Sequence, residues 1–210
     1  MSSDGSMSND EPVDGRFEIL TIGEPTVGRT ALIHRFIFDS FTDVYEPTAG
    51  IVQDPRLFRR ILPINELRIH LEIWDVIAYP KFRTTADDTY WRGVSGVFVI
   101  FDLTNNESFK NIREWLYMVD RYCVEHVVKM LIGNKSDKEG EAVVSYADVK
   151  PICANLGIEY YETSAKTSSN VEEIFAIMAC KLLCAKEKKE QEIKNSKNRV
   201  NICQLNNRLK

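Results

Sequence analysis

A short apolar segment, Phe17–Ile22, runs straight into Gly23-Glu24-Pro25-Thr26-Val27-Gly28-Arg29-Thr30. Beyond it Leu32, Ile33, Phe36 and Ile37 take helical spacing. This junction of strand, glycine-bounded loop and helix constrains the chain more than any other feature. Gly23 and Gly28 let the backbone curl with its N–H groups inward, and the helix start beyond adds positive potential, so the loop forms a cradle for an anion. The run fits G-x-x-x-x-G-K-[ST] except that Arg29 stands at the lysine position. Arginine keeps the charge, but its planar fork is larger and less compliant than an ammonium. Phosphate binding that survives in weakened form is the expectation. The Thr30 hydroxyl is placed to ligate Mg²⁺. An ordinary glycine-containing turn can produce a similar run, so the motif needs support from elsewhere in the chain.

The rest of the chain alternates strands and helices. Ile51–Pro63 and Leu67–Trp74 read as a hairpin; in the second strand Leu67, Ile69, Leu71 and Ile73 alternate with Arg68, His70 and Glu72. Val94–Leu103 holds the continuous run Val97–Phe101, as a strand buried on both faces does. Ser108–Tyr122 is predicted helical, Val127–Ile132 a buried strand, Ser145–Leu156 a helix stopped by Gly157, Ile158–Glu162 a short strand, and Val171–Lys186 an amphipathic helix. The predicted fold is α/β, with a mostly parallel central sheet of about six strands and helices on both faces. Ligands of such sheets bind beyond the carboxyl ends of the strands.

The 210 residues divide into a polar lead-in at 1–15, one domain at 16–185 and a charged tail or linker at 186–210. A formal charge of −4 gives no reason to expect broad nucleic-acid binding, which usually needs a basic face. Five cysteines without a Cys-x-x-Cys pair fit reduced thiols in a cytosolic protein. No apolar run is long enough for a transmembrane helix.

Asn134-Lys135-Ser136-Asp137 follows the strand that ends at Ile132 and Gly133. An aspartate there can accept from both guanine N1–H and the exocyclic amine, a pair adenine lacks, and the wrong base leaves buried polar groups unpaired. Thr163-Ser164-Ala165-Lys166 follows the last predicted strand as a second base-contacting loop. Both lie in the right order behind the phosphate loop.

With these motifs in place, the chain resembles the Ras-superfamily small GTPases over about Phe17–Cys184. The segments Tyr90–Leu116, Leu131–Asp137 and Glu162–Phe175 are most similar to Rab proteins. The resemblance implies a P-loop small G-protein fold, GTP or GDP with Mg²⁺ as cofactors, and effectors or regulators at the switch regions. It places Gly23, Glu24, Pro25, Thr26, Val27, Gly28, Arg29, Thr30 and Ala31 around the phosphates. Asn134, Lys135, Asp137, Ser164, Ala165 and Lys166 fall around the base. It puts Phe41 beside the guanine and Tyr45 over the phosphates, though Phe41 reads equally as ordinary core. The implied metal set is Thr30, Thr48 of switch I, and Asp75.

The pattern breaks after Asp75. The family reads W-D-T-A-G-Q-E, whereas this chain reads Trp74-Asp75-Val76-Ile77-Ala78-Tyr79-Pro80. Ala78 replaces the glycine that contacts the γ-phosphate, and Tyr79 the glutamine that orients the attacking water. Pro80 and Pro25 stiffen their loops and remove backbone N–H groups. Gln53 stands where Rab proteins place a phenylalanine of the effector-binding aromatic triad, and Trp74 matches another member. No residue is assigned a catalytic role, and hydrolysis slowed by orders of magnitude is the expectation.

Rab proteins end in prenylated cysteines, whereas this sequence ends Asn207-Arg208-Leu209-Lys210, with Cys203 too early for a C-a-a-X box. No prenyl membrane anchor is therefore expected in this chain: either the protein is soluble or this is the front part of a longer one. Lys186–Arg199 reads as a solvated helix extension or a linker. Two functional readings stand: a Rab-type switch in vesicle traffic, cytoplasmic and peripheral on vesicles through partners, or a pseudo-GTPase interaction module with fixed or no nucleotide.

Overall fold

The fold comes from a computed structural model, which describes residues 12–44, 56–75, 91, 93–123 and 126–208, with side chains described through 195. Six strands form one sheet in the order β2-β3-β1-β4-β5-β6. They are β1 (Gly15–Gly23), β2 (Arg56–Ile64), β3 (Leu67–Asp75), β4 (Val94–Asp102), β5 (Val128–Asn134) and β6 (Glu159–Thr163). Only the hairpin β2–β3 is antiparallel; the other four pairings are parallel. The predicted α/β architecture is the observed one.

The sequence pattern explains the layers. Along β4, Phe98 and Ile100 face one core while Val97, Val99 and Phe101 face the other, so the unbroken apolar run is buried on both sides. The first core is covered by α1 (Arg29–Phe38) and the long last helix, where the Phe36 and Phe175 rings stack 3.8 Å apart. The second is covered by α3 (Ile112–Tyr122) and α4 (Tyr146–Leu156), through Ile112, Trp115, Leu116, Val119 and Val149. In β3 the alternation holds in part: Ile69, Leu71 and Ile73 are fully buried, whereas Leu67 at the strand end is 37% exposed.

Several boundaries differ from the sequence reading. The helix expected over Ser108–Tyr122 is two helices, α2 (Asn106–Lys110) and α3, meeting at Asn111. Asn105 starts the first one early, its side-chain oxygen accepting from the N–H groups of Glu107 (3.0 Å) and Ser108 (3.3 Å). The last helix, α5 (Val171–Arg208), runs well past Lys186. Residues 187–195 are exposed, and neither proline nor glycine interrupts this lysine- and glutamate-rich run, so it continues as a solvated helix. At the other end, β1 already begins at Gly15, and Asp14 is tied to Arg68: its N–H donates to the Arg68 carbonyl (3.0 Å) and its carboxylate accepts from the Arg68 N–H (2.7 Å). By contrast, α4 starts and stops as read. The Asp148 carboxylate accepts from the Ser145 N–H at 2.9 Å, and Gly157 closes the helix with φ +64°.

β3 carries one buried titratable group on its less apolar face. Burial lowers the pKa of His70 from 6.5; Arg16 and Arg59 push the same way and Glu72 opposes them. The unfolded chain therefore takes up this proton first, so stability is lost as the pH falls below about 6.5 and on through the folded value. Denaturant titrations from pH 7.5 to 5 are expected to show wild type losing stability relative to His70→Gln. A difference between the two that does not change with pH contradicts this assignment.

Candidate functional site

The carboxyl ends of β1, β3, β5 and β6 bring those predicted site residues that the structure describes to one edge of the sheet. The loop after β1 needs both glycines. A Cβ on Gly23 (φ +147°) would lie 2.1 Å from the Ile100 carbonyl oxygen, and one on Gly28 (φ +95°) 2.3 Å from Asn134 Nδ2. Thr26 also takes a left-handed conformation, at φ +68°. Val27 is buried in the first core and anchors the loop, while Pro25 and Thr26 are exposed.

Asn134 ties the two halves together. Its Nδ2 donates to the Val27 carbonyl (2.9 Å), and its Oδ1 accepts from the Thr163 hydroxyl (3.3 Å). Asn134 and Thr163 are buried, so these bonds have little competition from water. The side chain thus braces the phosphate loop against the base loops, which the base-binding assignment alone did not foresee.

Around the base site, the Ser164 hydroxyl donates to Asp137 Oδ1 (2.5 Å) and accepts from the Thr167 N–H (3.1 Å). The carboxylate is exposed and held by a buried serine. Ala165 is buried and Lys166 exposed, its ammonium 3.6 Å from Asp43. Lys135 adopts φ +68° and pairs with Asp102 Oδ2 at 2.6 Å. Phe41 packs against the first core, half-buried. A groove runs from Asp137 along Lys138, Gly140, Glu141, Lys166 and Thr167.

Toward the phosphate end, the Thr30 hydroxyl donates to Asp75 Oδ2 at 2.6 Å. Asp75 is fully buried, and its Oδ1 has no hydrogen-bond partner among the described residues. Burial raises the Asp75 pKa, opposed by the Arg29 charge and the Thr30 bond. An orphaned, buried carboxylate oxygen beside a hydroxyl is a donor set that suits Mg²⁺ or its water shell. Ala31 follows Thr30 in α1 and lies against the first core.

Tyr45, Thr48, Gln53, Ala78, Tyr79 and Pro80 lie outside the described residues, so the switch assignments made on them have no structural counterpart here. Contacts of Trp115 and of Asp102 were also missed in the sequence. Trp115 Nε1 of α3 donates to Glu24 Oε1 in the phosphate loop (3.1 Å), and Asp102 receives Lys135 and both the N–H and hydroxyl of Thr104 (2.8 Å each). Asp102 had a signal, an acid closing the apolar run of β4; Trp115 had none beyond its apolar spacing.

Comparison with protein-family models gives a match to the Ras family over residues 18–184, most of the chain. The chain belongs to the Ras family. As a Ras-family domain it is a GTP-binding switch built on a P-loop. The match covers every nucleotide-site residue assigned from Gly23 to Lys166.

The brace gives a direct test. Asn134→Ala leaves the Val27 carbonyl without a buried partner, which costs about 1–3 kcal/mol. Urea unfolding should show that loss together with weaker GDP binding. A change below about 0.5 kcal/mol, within the range of ordinary surface substitutions, means the brace is idle.

Proposed function

We propose that this Ras-family domain is a Rab-type guanine-nucleotide switch with slow GTP hydrolysis, acting in vesicle traffic through proteins that bind its switch regions. The observation that carries the nucleotide reading is the Asn134 link between the phosphate loop and the loop of Ser164, whose hydroxyl orients Asp137. Diphosphate and purine ring then bind at opposite ends of one braced cleft. Thr30 and Asp75 would hold Mg²⁺, with Thr48 the third residue of the set. The ion supplies charge neutralisation at the phosphates.

Slow hydrolysis rests on Ala78, Tyr79, Pro25 and Arg29. Phosphoryl transfer depends on positioning and electrostatics, so several displaced groups compound. The Rab assignment rests on the sequence similarity of Tyr90–Leu116, Leu131–Asp137 and Glu162–Phe175. Residence in the cytoplasm and on vesicle surfaces through partners follows from that assignment. Among the described residues no helix is long and apolar enough to cross a membrane.

Arg29 favours a second reading, a pseudo-GTPase module with fixed or no nucleotide. It is buried, and its charge acts on Asp75 at the place where Mg²⁺ would sit. Titration with labelled GDP and GTP, with assay of nucleotide released on denaturation, separates the two. Exchangeable guanine nucleotide is the expected result; a folded chain that carries none and takes up none supports the module. Single-turnover GTP hydrolysis should run orders of magnitude below that of other Ras-family domains measured alongside, and an equal rate refutes that part of the proposal.

A metal-removal experiment tests the Asp75 role. Chelating Mg²⁺ should speed GDP release from wild type and change it far less in Asp75→Asn, which starts fast. Equal sensitivity in both proteins removes Asp75 from the metal set.

A further inference from the structure

We infer that Arg35 is a positioning residue for nucleotide binding, holding both walls of the base site at a fixed spacing. The inference rests on the guanine-nucleotide reading of the cleft. Arg35 lies near the end of α1, the helix that opens at the phosphate loop. Its Nε donates to the Ala165 carbonyl (2.9 Å) and its Nη2 to the Lys166 carbonyl (3.1 Å), across 130 and 131 residues of sequence. Its Nη1 donates to the Asp39 carbonyl and to Asp39 Oδ1, both at 2.8 Å. The side chain is 16% exposed.

These contacts fall on two sides of the base site. Ala165 and Lys166 belong to the loop whose Ser164 holds Asp137. Asp39 is the left-handed residue (φ +48°) that ends α1 and begins the segment leading to Phe41. One guanidinium therefore sets the base loop, the Phe41 segment and, through α1, the phosphate loop in a single frame. A planar fork can serve carbonyls on successive residues and a third in another direction; an ammonium cannot match that geometry. The exposed Lys166–Asp43 pair spans the same gap but, being solvated, adds little. Preorganised walls bind ligand without a cost of ordering them at that moment. Loosening them is therefore expected to shorten nucleotide residence.

The test is GDP dissociation from the whole 210-residue chain in Mg²⁺, using fluorescent GDP, for wild type, Arg35→Gln, Arg35→Lys, Ser164→Ala and the Arg35→Gln/Ser164→Ala pair. Arg35→Gln should raise the rate about tenfold, and Arg35→Lys by less, about threefold, since loss of a charge-assisted bond is of that order. Because both residues act through one loop, the double variant should fall well short of the product of the single effects. A purely structural fastening would lower the unfolding temperature and leave the dissociation rate alone. Rates within error of wild type for Arg35→Lys, or a double variant equal to the product, overturn the inference. Should Arg35→Gln fail to fold, Arg35→Lys decides alone. A wild-type chain that takes up no GDP overturns the nucleotide reading first, and this inference with it.

Discussion

One buried amide holds the cleft in shape. Asn134 ends β5, and its two side-chain groups reach in opposite directions, Nδ2 to the Val27 carbonyl and Oδ1 to the Thr163 hydroxyl. Phosphate loop and base loops rise from different strands, and nothing in the sheet ladder alone fixes their separation. Asn134 does, and it does so where a Cβ on Gly28 would collide with it. The requirement for glycine at 28 is thus twofold, a positive φ and the closeness of this amide.

Around that brace the remaining contacts fall into a pattern. Trp115 reaches Glu24, Lys135 reaches Asp102, and Arg35 reaches Ala165 and Lys166. Each draws a loop at the carboxyl edge back onto an element packed against the sheet. The loops carry the polar chemistry, but their shape is borrowed from α1, α3 and β4. A cleft made this way can bind polar ligands without a large apolar lining of its own, because the order is supplied by the two cores beneath it.

Much of this was legible in the sequence because the signals were local. The β4 run from Val97 to Phe101, the Gly23–Thr30 loop and the Ser145–Gly157 helix each declare themselves within a dozen residues, through period, glycine placement and capping. Asp137 and Ser164 were assigned from the sequence to two separate base-contacting loops, and their mutual bond was not foreseen. Arg35 and Trp115 passed as ordinary helix residues, since their partners lie 130 and 91 residues away. The break at Asn111 escaped for a different reason: the apolar spacing continues through it, and only the Asn105 cap reveals an earlier start. The length of α5 was legible only as one of two alternatives, a solvated helix extension or a linker from Lys186; in a charged run whose residues 187–195 are exposed, propensity alone decides for the helix.

The departures from the family pattern are unevenly placed along the sequence. Asn134 and Ser164 are buried, and Asp137, itself exposed, is held by the Ser164 hydroxyl. Ala78 and Tyr79 follow Asp75 in the sequence and lie outside the described residues. Binding and hydrolysis draw on different groups: the first on contacts made in the ground state, the second on groups placed for the transition state. Asp75 stands at the boundary between them. Its buried carboxylate is stabilised by Thr30 and by the Arg29 charge within the folded chain itself. A domain of this construction can lose turnover and still keep the cleft that holds its nucleotide.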